Sequence, residues 1–162
     1  ILSPTICCNA VKELGATDVE VVRNDQIDLD EVERFDKNTF TGTGNTEEAG
    51  LLLPIIKRYA PTKSILGVCL GHQAIGEAFG ARLEKPEKKY ITVTDTDQHP
   101  AEDVLFEGLG KEIPVGRYHS WVVAGKGFAQ SAWRITAESQ EGQIMALLTK
   151  TYDVHGIQFH PE

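Results

Sequence analysis

The chain has 162 residues, 41% of them hydrophobic, with a formal net charge of -8 and an isoelectric point near 5.1. A chain of this size can bury roughly 70% of its unfolded surface as one globular unit. Its acidic balance opposes nucleic acid and anionic membrane as partners, because binding to either depends on a basic face.

No apolar run approaches the roughly 20 residues that span a bilayer, and the opening residues ILSPTICCNA lack the basic start and apolar stretch of a signal peptide. A soluble, cytoplasmic protein is expected. Cys7, Cys8 and Cys69 form no even disulfide framework, and adjacent cysteines seldom reach disulfide geometry, so reduced thiols are expected. With no CxxC, no HExxH and five histidines at spacings unlike those of zinc sites, no metal is expected either.

The first half alternates short apolar runs with helical patterns, as a parallel sheet covered by helices requires. The predicted class is α/β: a mostly parallel sheet flanked by helices, with additional antiparallel strands in the C-terminal half. Residues 6–14 carry a helical pattern ending at Gly15, residues 19–22 predict a β-branched strand, and residues 29–35 predict a short helix. Residues 47–59 place Leu51, Leu52, Ile55 and Ile56 on one helical face, where Pro54 is expected to introduce a kink. Residues 64–69 read as a strand apolar enough to be buried on both faces. A helix over 71–80 follows, with Ile75, Ala78 and Phe79 toward the sheet and Gln73 near an exposed N-terminus.

The second half predicts strands over residues 90–94, 115–123, 133–138, 144–148 and 154–159, some of them antiparallel. Residues 84–110, rich in charge, Pro and Gly, read as connecting surface structure. There is no internal repeat and no low-complexity tract.

The chemistry concentrates where the predicted buried strand turns into a helix, in Gly67-Val68-Cys69-Leu70-Gly71-His72-Gln73. Glycines two before and two after the cysteine permit a tight turn that projects its side chain, by the steric logic of a nucleophile elbow. At a helix N-terminus the dipole favours the reactive thiolate, and free N-H groups are at hand for negative charge. Taken alone, G-x-C-x-G is equally compatible with an ordinary buried cysteine. Toward the other end, strand alternation puts Ile157 and Phe159 on one face and Gln158 and His160 on the other, so parity takes His160 out of the core. Pro161 biases His160 to extended geometry, and Glu162 can return to the same side to orient the imidazole. For the tripeptide alone, a surface histidine beside a solvated glutamate is the plainer reading.

Together, GVCLGHQ and GIQFHPE resemble the triad segments of the class I glutamine amidotransferases, which have a flavodoxin-like fold. RYHSWVV at residues 117–123 resembles the substrate-contact strand of one branch, the small subunits of anthranilate synthase (component II) and aminodeoxychorismate synthase. Matching stretches cover most of residues 10–36, 47–84, 104–123 and 136–162, as a single glutamine amidotransferase domain over 1–162. The resemblance implies Cys69 as nucleophile, His160 as acid and base, and Glu162 as its orienter. It implies Gln73, Ser120 and Trp121 as glutamine contacts, the Leu70 N-H as one oxyanion donor, and the loop Gly42-Thr43-Gly44 as the place of the other. The substrate implied is L-glutamine, with no cofactor. Ammonia would pass through a channel to a chorismate-binding synthase subunit of the anthranilate synthase component I type.

The sequence also departs from the family. The oxyanion loop, usually S-P-G-P-G, reads Phe40-Thr41-Gly42-Thr43-Gly44 here, and losing a compatible proline frees about 0.4 to 1 kcal/mol of chain entropy per site. The preceding Asn38-Thr39-Phe40 is more polar than a buried parallel strand. Most of the family's first strand is missing, relatives continue past Glu162, and residues 85–98 do not match, so a truncated or imperfectly assigned chain is expected to account for some of these departures. The alternatives are the aminodeoxychorismate branch, a catalytically silent domain with a binding or regulatory role, and another cysteine hydrolase on a similar scaffold.

Overall fold

The computed structural model describes residues 4–42, 44–86, 93–98, 103–125 and 132–161. In chain order the elements are α1 (Pro4–Glu13), β1 (Lys37–Phe40), α2 (Leu52–Tyr59), β2 (Ser64–Val68), α3 (Leu70–Ala78), β3 (Leu83–Glu84), β4 (Val93–Gln98), β5 (Glu112–Arg117), β6 (Val122–Val123), β7 (Trp133–Ser139), β8 (Ile144–Thr149) and β9 (Val154–Ile157). Short 3-10 turns occupy Leu29–Arg34, Thr46–Glu48 and Val104–Phe106.

The α/β class holds. One seven-stranded sheet runs β1-β2-β9-β8-β7-β4-β5, and β3 pairs with β6 in a separate ribbon. β1, β2 and β9 are parallel neighbours, and the strands from β9 outward through β5 join antiparallel. β2 is buried on both faces, as its apolar run predicts. On one side α2 and α3 pack Ile56, Ala74 and Ile75 against Ile65, Leu147 and Val154. On the other, Val68, Ile157 and Phe159 meet Phe106 and Met145. Fully buried isoleucines such as Ile56 and Ile75 each contribute roughly 1.5 to 3 kcal/mol relative to exposure. The polar character of Asn38-Thr39-Phe40 has a simple cause: β1 is the end strand of the sheet and is only partly buried.

Several expectations are corrected. Residues 19–22 form no strand, because among the described residues no neighbouring strand offers them a ladder, and Val21 and Val22 stay exposed. The helix expected over 47–59 begins only at Leu52, because Gly50 takes a left-handed conformation (φ +55°) that separates it from the turn at Thr46–Glu48. Pro54 therefore falls in the first helical turn, where no N-H is required. The single strand expected over 115–123 is two, β5 and β6, separated by irregular backbone that carries Tyr118 to Trp121 out of the main sheet. Residues 84–110 are more than surface connection. β4 inserts between β7 and β5 through main-chain pairing, which charged side chains do not prevent, and Phe106 is buried. Residues 90–92 of the strand expected over 90–94 lie outside the described residues. Among the described residues no helix is long and apolar enough to cross a membrane.

Two histidines on and against β9 behave in opposite ways. His72 of α3 is fully buried against Gly156, where a side chain could not fit: a Cβ there would lie 2.8 Å from the His72 Nδ1. Loss of water lowers its pKa to about 3, so it is neutral in the fold. His155 is instead held between Asp103, 3.4 Å from its Nδ1, and Asp153, 3.2 Å from its Nε2, and those carboxylates raise its pKa. The signs differ accordingly. An unfolded histidine titrates near about 6.5. The unfolded chain therefore takes up a proton at position 72 below that pH which the native state refuses, and stability falls as pH drops from 6.5 toward 3. The His155 contribution is full below about 6.5 and is lost as pH rises through its elevated native pKa. Denaturant midpoints measured across pH should therefore decline on both sides. His155→Gln should flatten the alkaline limb and His72→Gln should shallow the acid limb; unchanged limbs in both variants would contradict these assignments.

Candidate active site

At the end of β2 the chain reverses at Cys69, whose φ of 53° and ψ of -101° make it the non-glycine residue with positive φ among the described residues. Such a conformation costs of order 1 to 3 kcal/mol and persists only where the surroundings over-determine it. Here they do. The Cys69 N-H donates to the Ile157 carbonyl of β9 at 2.8 Å, and its carbonyl accepts from the Gln73 N-H at 3.1 Å, closing the first turn of α3. The flanking glycines are required by space. A Cβ on Gly67 would lie 2.5 Å from the Gly71 oxygen, and one on Gly71 would collide with the carbonyl oxygen of Phe40. The elbow inferred from G-x-C-x-G is thus present, with β1 pressed against it.

Leu70 is the first residue of α3, so its N-H belongs to the set that a helix leaves without internal partners. Gly42, two residues beyond β1, comes up beside it: a Cβ on Gly42 would be 3.1 Å from the Leu70 Cδ2. Gly44 has a φ of +106° and lies nearest the Glu48 side chain, while Thr43 lies outside the described residues.

Gln73 is buried at 3% exposure, which corrects the exposed N-terminus expected for it: Leu70, Gly71, His72 and Gln73 are all covered by the sheet and its loops. Its Nε2 donates to the Trp121 carbonyl at 2.9 Å and to the Gln158 Oε1 at 3.1 Å. Gln158, fully buried, donates from its own Nε2 to the Cys69 Sγ at 3.7 Å. Ser120 is exposed, and the half-buried Trp121 ring carries the Lys85 Nζ at 4.8 Å from its centroid.

His160 follows β9 as parity predicts, with Ile157 and Phe159 turned into the apolar cluster and Gln158 turned toward the cysteine. It is nevertheless buried, at 8% exposure, because its N-H bonds the Gly116 carbonyl at 3.0 Å and its ring packs edge-on against Tyr118 at 5.6 Å. Glu162 lies outside the described residues. His119 stands within electrostatic reach of His160. Burial, then the nearby Arg117 guanidinium, push the His119 pKa down to about 4, so it is neutral near pH 7. Arg117 is itself completely buried and pairs with Glu141 at 3.3 Å, anchoring the start of residues 117–121 to the turn after β7.

The elements thus bring Cys69, Leu70, Gln73, Trp121, Gln158 and Gly42 together, with His160 on the same side of its chain as Gln158. Three residues of this neighbourhood were not singled out from sequence: Gln158, His119 and Arg117. The signal for Gln158 was available, since strand parity already groups it with His160.

The family model for glutamine amidotransferase class-I matches residues 5–162. Anthranilate synthase component 2 of Thermus thermophilus is 40% identical over 156 residues, covering 93% of this chain and 74% of that protein. Aminodeoxychorismate synthase component 2 of Escherichia coli K12 is 39% identical over 153 residues, covering 93% of this chain and 80% of that protein. The bifunctional protein TrpGD of Thermotoga maritima is 36% identical over 161 residues, and the match spans only 27% of its length. Among solved structures, a Thermoplasma acidophilum protein provisionally described as one component of GMP synthase superposes with a TM-score of 0.82 at 27% identity, covering 95% of this chain and 76% of that one.

The collision at the elbow makes a direct prediction. Gly71→Ala should destabilise the chain by about 3 kcal/mol or more, since backbone rather than a flexible side chain must move. A thermal midpoint within about a degree of the unsubstituted protein would show that the close approach to Phe40 is not a constraint.

Proposed function

The chain belongs to the class-I glutamine amidotransferase family, and on that premise we propose that Cys69 hydrolyses L-glutamine to glutamate and ammonia, with the ammonia delivered to a chorismate-binding synthase subunit. The observation that carries this reading is the strained elbow: a cysteine at positive φ, on a helix N-terminus, with the strand that leads to His160 bonded to its own N-H.

In the proposed reaction the Cys69 thiolate attacks the side-chain amide carbon of glutamine, and the amide oxygen becomes an oxyanion. The Leu70 N-H and the Gly42-Thr43-Gly44 loop receive that charge. One such donor is worth roughly 3 to 4 kcal/mol of transition-state stabilisation. His160, oriented by Glu162, protonates the departing nitrogen as the tetrahedral adduct collapses to a γ-glutamyl thioester and ammonia. His160 then takes a proton from water, which attacks the thioester to give glutamate and return the thiolate. Gln73, Ser120 and Trp121 contact the substrate. The packing of Gly42 on Leu70 supports the loop assignment by bringing it beside the start of α3.

Within the family, the relatives divide between anthranilate and aminodeoxychorismate synthases, and one from Bacillus subtilis carries both names, with 36% identity over 159 residues. We assign the anthranilate branch, and thereby tryptophan synthesis, on the anthranilate-named relatives, since RYHSWVV is common to both branches; the aminodeoxychorismate branch is the alternative. The test is glutamine hydrolysis by the full chain with each type of synthase subunit. Cys69→Ala should lower hydrolysis by at least about a thousandfold, and the synthase subunit of the anthranilate type should raise the rate of the unsubstituted chain. Intact hydrolysis in Cys69→Ala would reject the mechanism, and stimulation only by the aminodeoxychorismate type would move the protein to the other branch.

A further inference from the structure

The two buried amides beside Cys69 form a chain whose direction is set at one end. A main-chain carbonyl can only accept, so the group of Gln73 that meets the Trp121 carbonyl at 2.9 Å must be its NH2. The second hydrogen of that nitrogen points to Gln158 at 3.1 Å, so Gln158 must offer its oxygen there. Its own NH2 is then left facing the Cys69 Sγ at 3.7 Å. No other orientation satisfies all three contacts. A reversed Gln158 would set NH2 against NH2, and a reversed Gln73 would set oxygen against oxygen at Trp121.

We infer that Gln158 is a hydrogen-bond donor to the nucleophile, and that Gln73 acts as a positioning residue that fixes the direction of that donation. The inference rests on the reading of Cys69 as the nucleophile. Its physical basis is an asymmetry: an N-H donated to a neutral thiol is a weak bond, while the same N-H donated to a thiolate is charge-assisted, so the contact favours the ionised sulfur. Gln158 is fully buried and Gln73 nearly so, and little water competes for these groups. The donor adds to the helix N-terminus and the imidazole, and it directly follows β9, in the segment that carries His160 two residues on.

The ionisable and charged groups on the segments that meet at the elbow come from three elements. His160 follows β9. Arg117 ends β5, with Tyr118 against the His160 ring and His119 after it. His72 lies on α3. Glu162 lies outside the described residues. All of them are retained when position 158 alone is changed.

The test is the pH dependence of Cys69 alkylation by iodoacetamide in the full chain, with the modified peptide identified by mass so that Cys7 and Cys8 do not contribute. The unsubstituted protein should show a midpoint below the about 8.5 of a free thiol. Gln158→Met, close in volume but without a donor, should raise the midpoint by about one unit. Gln158→Glu keeps an acceptor for Gln73 and replaces the donor by oxygen, so it should raise the midpoint further. In both variants kcat/KM for glutamine at neutral pH should fall about tenfold and recover in part at higher pH, a response that a purely structural role would not produce. Midpoints unchanged in the folded variants would overturn the inference, as would an unsubstituted midpoint at or above 8.5, which needs no variant to fold. The underlying mechanism is tested separately: if Cys69→Ala keeps its hydrolysis, the nucleophile reading fails, whereas inactive Cys69→Ala with unshifted Gln158 variants removes only the role of Gln158.

Discussion

The approach of the Phe40 carbonyl to Gly71 leaves no room for even a methyl group, and much of the site depends on that contact. It holds the end of β1 against the first turn of α3 while Gly67 lets the end of β2 lie under the same turn. The backbone bond from Cys69 to Ile157 then fixes β9 on the other side. Three segments distant in sequence thus converge on one residue, and their loops arrive with them. Gly42 comes to Leu70 because it follows β1, and Gln158 comes to the sulfur because it follows Ile157.

Burial divides the polar groups around this point by charge. His72 and His119 lose their water and are neutral, the Arg117 guanidinium adding to the effect of burial at His119. His155, farther down β9, gains two carboxylates and tends to the charged form. Arg117 is fully buried and pairs with Glu141, which ties the backbone leading into Ser120 and Trp121 to the β7-β8 turn. The pair is asymmetric: Arg117 is buried while Glu141 is exposed, so removing Glu141 takes a partner from a buried guanidinium, which typically costs more than removing one from a group in water.

The elbow, the buried strand and the parity of Gln158 and His160 were legible in the sequence because each rests on local rules: glycine spacing, an apolar run and a two-residue alternation. What was not legible depends on neighbours. Residues 19–22 have the β-branched composition of a strand, but a strand also needs a partner edge. Gly50 lies in an otherwise helical pattern, and only its left-handed backbone reveals that the pattern is interrupted. β4 is polar enough to look like surface, yet its main chain is paired on both sides. Gln73 stands three positions into a helix and reads as exposed until Trp121 and Gln158, from elements far along the chain, close over it. Periodicity carries no information about which loops will cover a helix end.

The positive φ of Cys69 sets stability and chemistry against each other at a single codon. Glycine would occupy that backbone conformation without the penalty a side chain incurs there, so selection acting on folding alone would favour losing the thiol. Under the proposed mechanism the residue persists only while that reaction is worth more to the organism than the strain it imposes. A lineage released from that requirement should drift first at this position, with the surrounding glycines surviving as the fossil of an elbow that no longer presents anything.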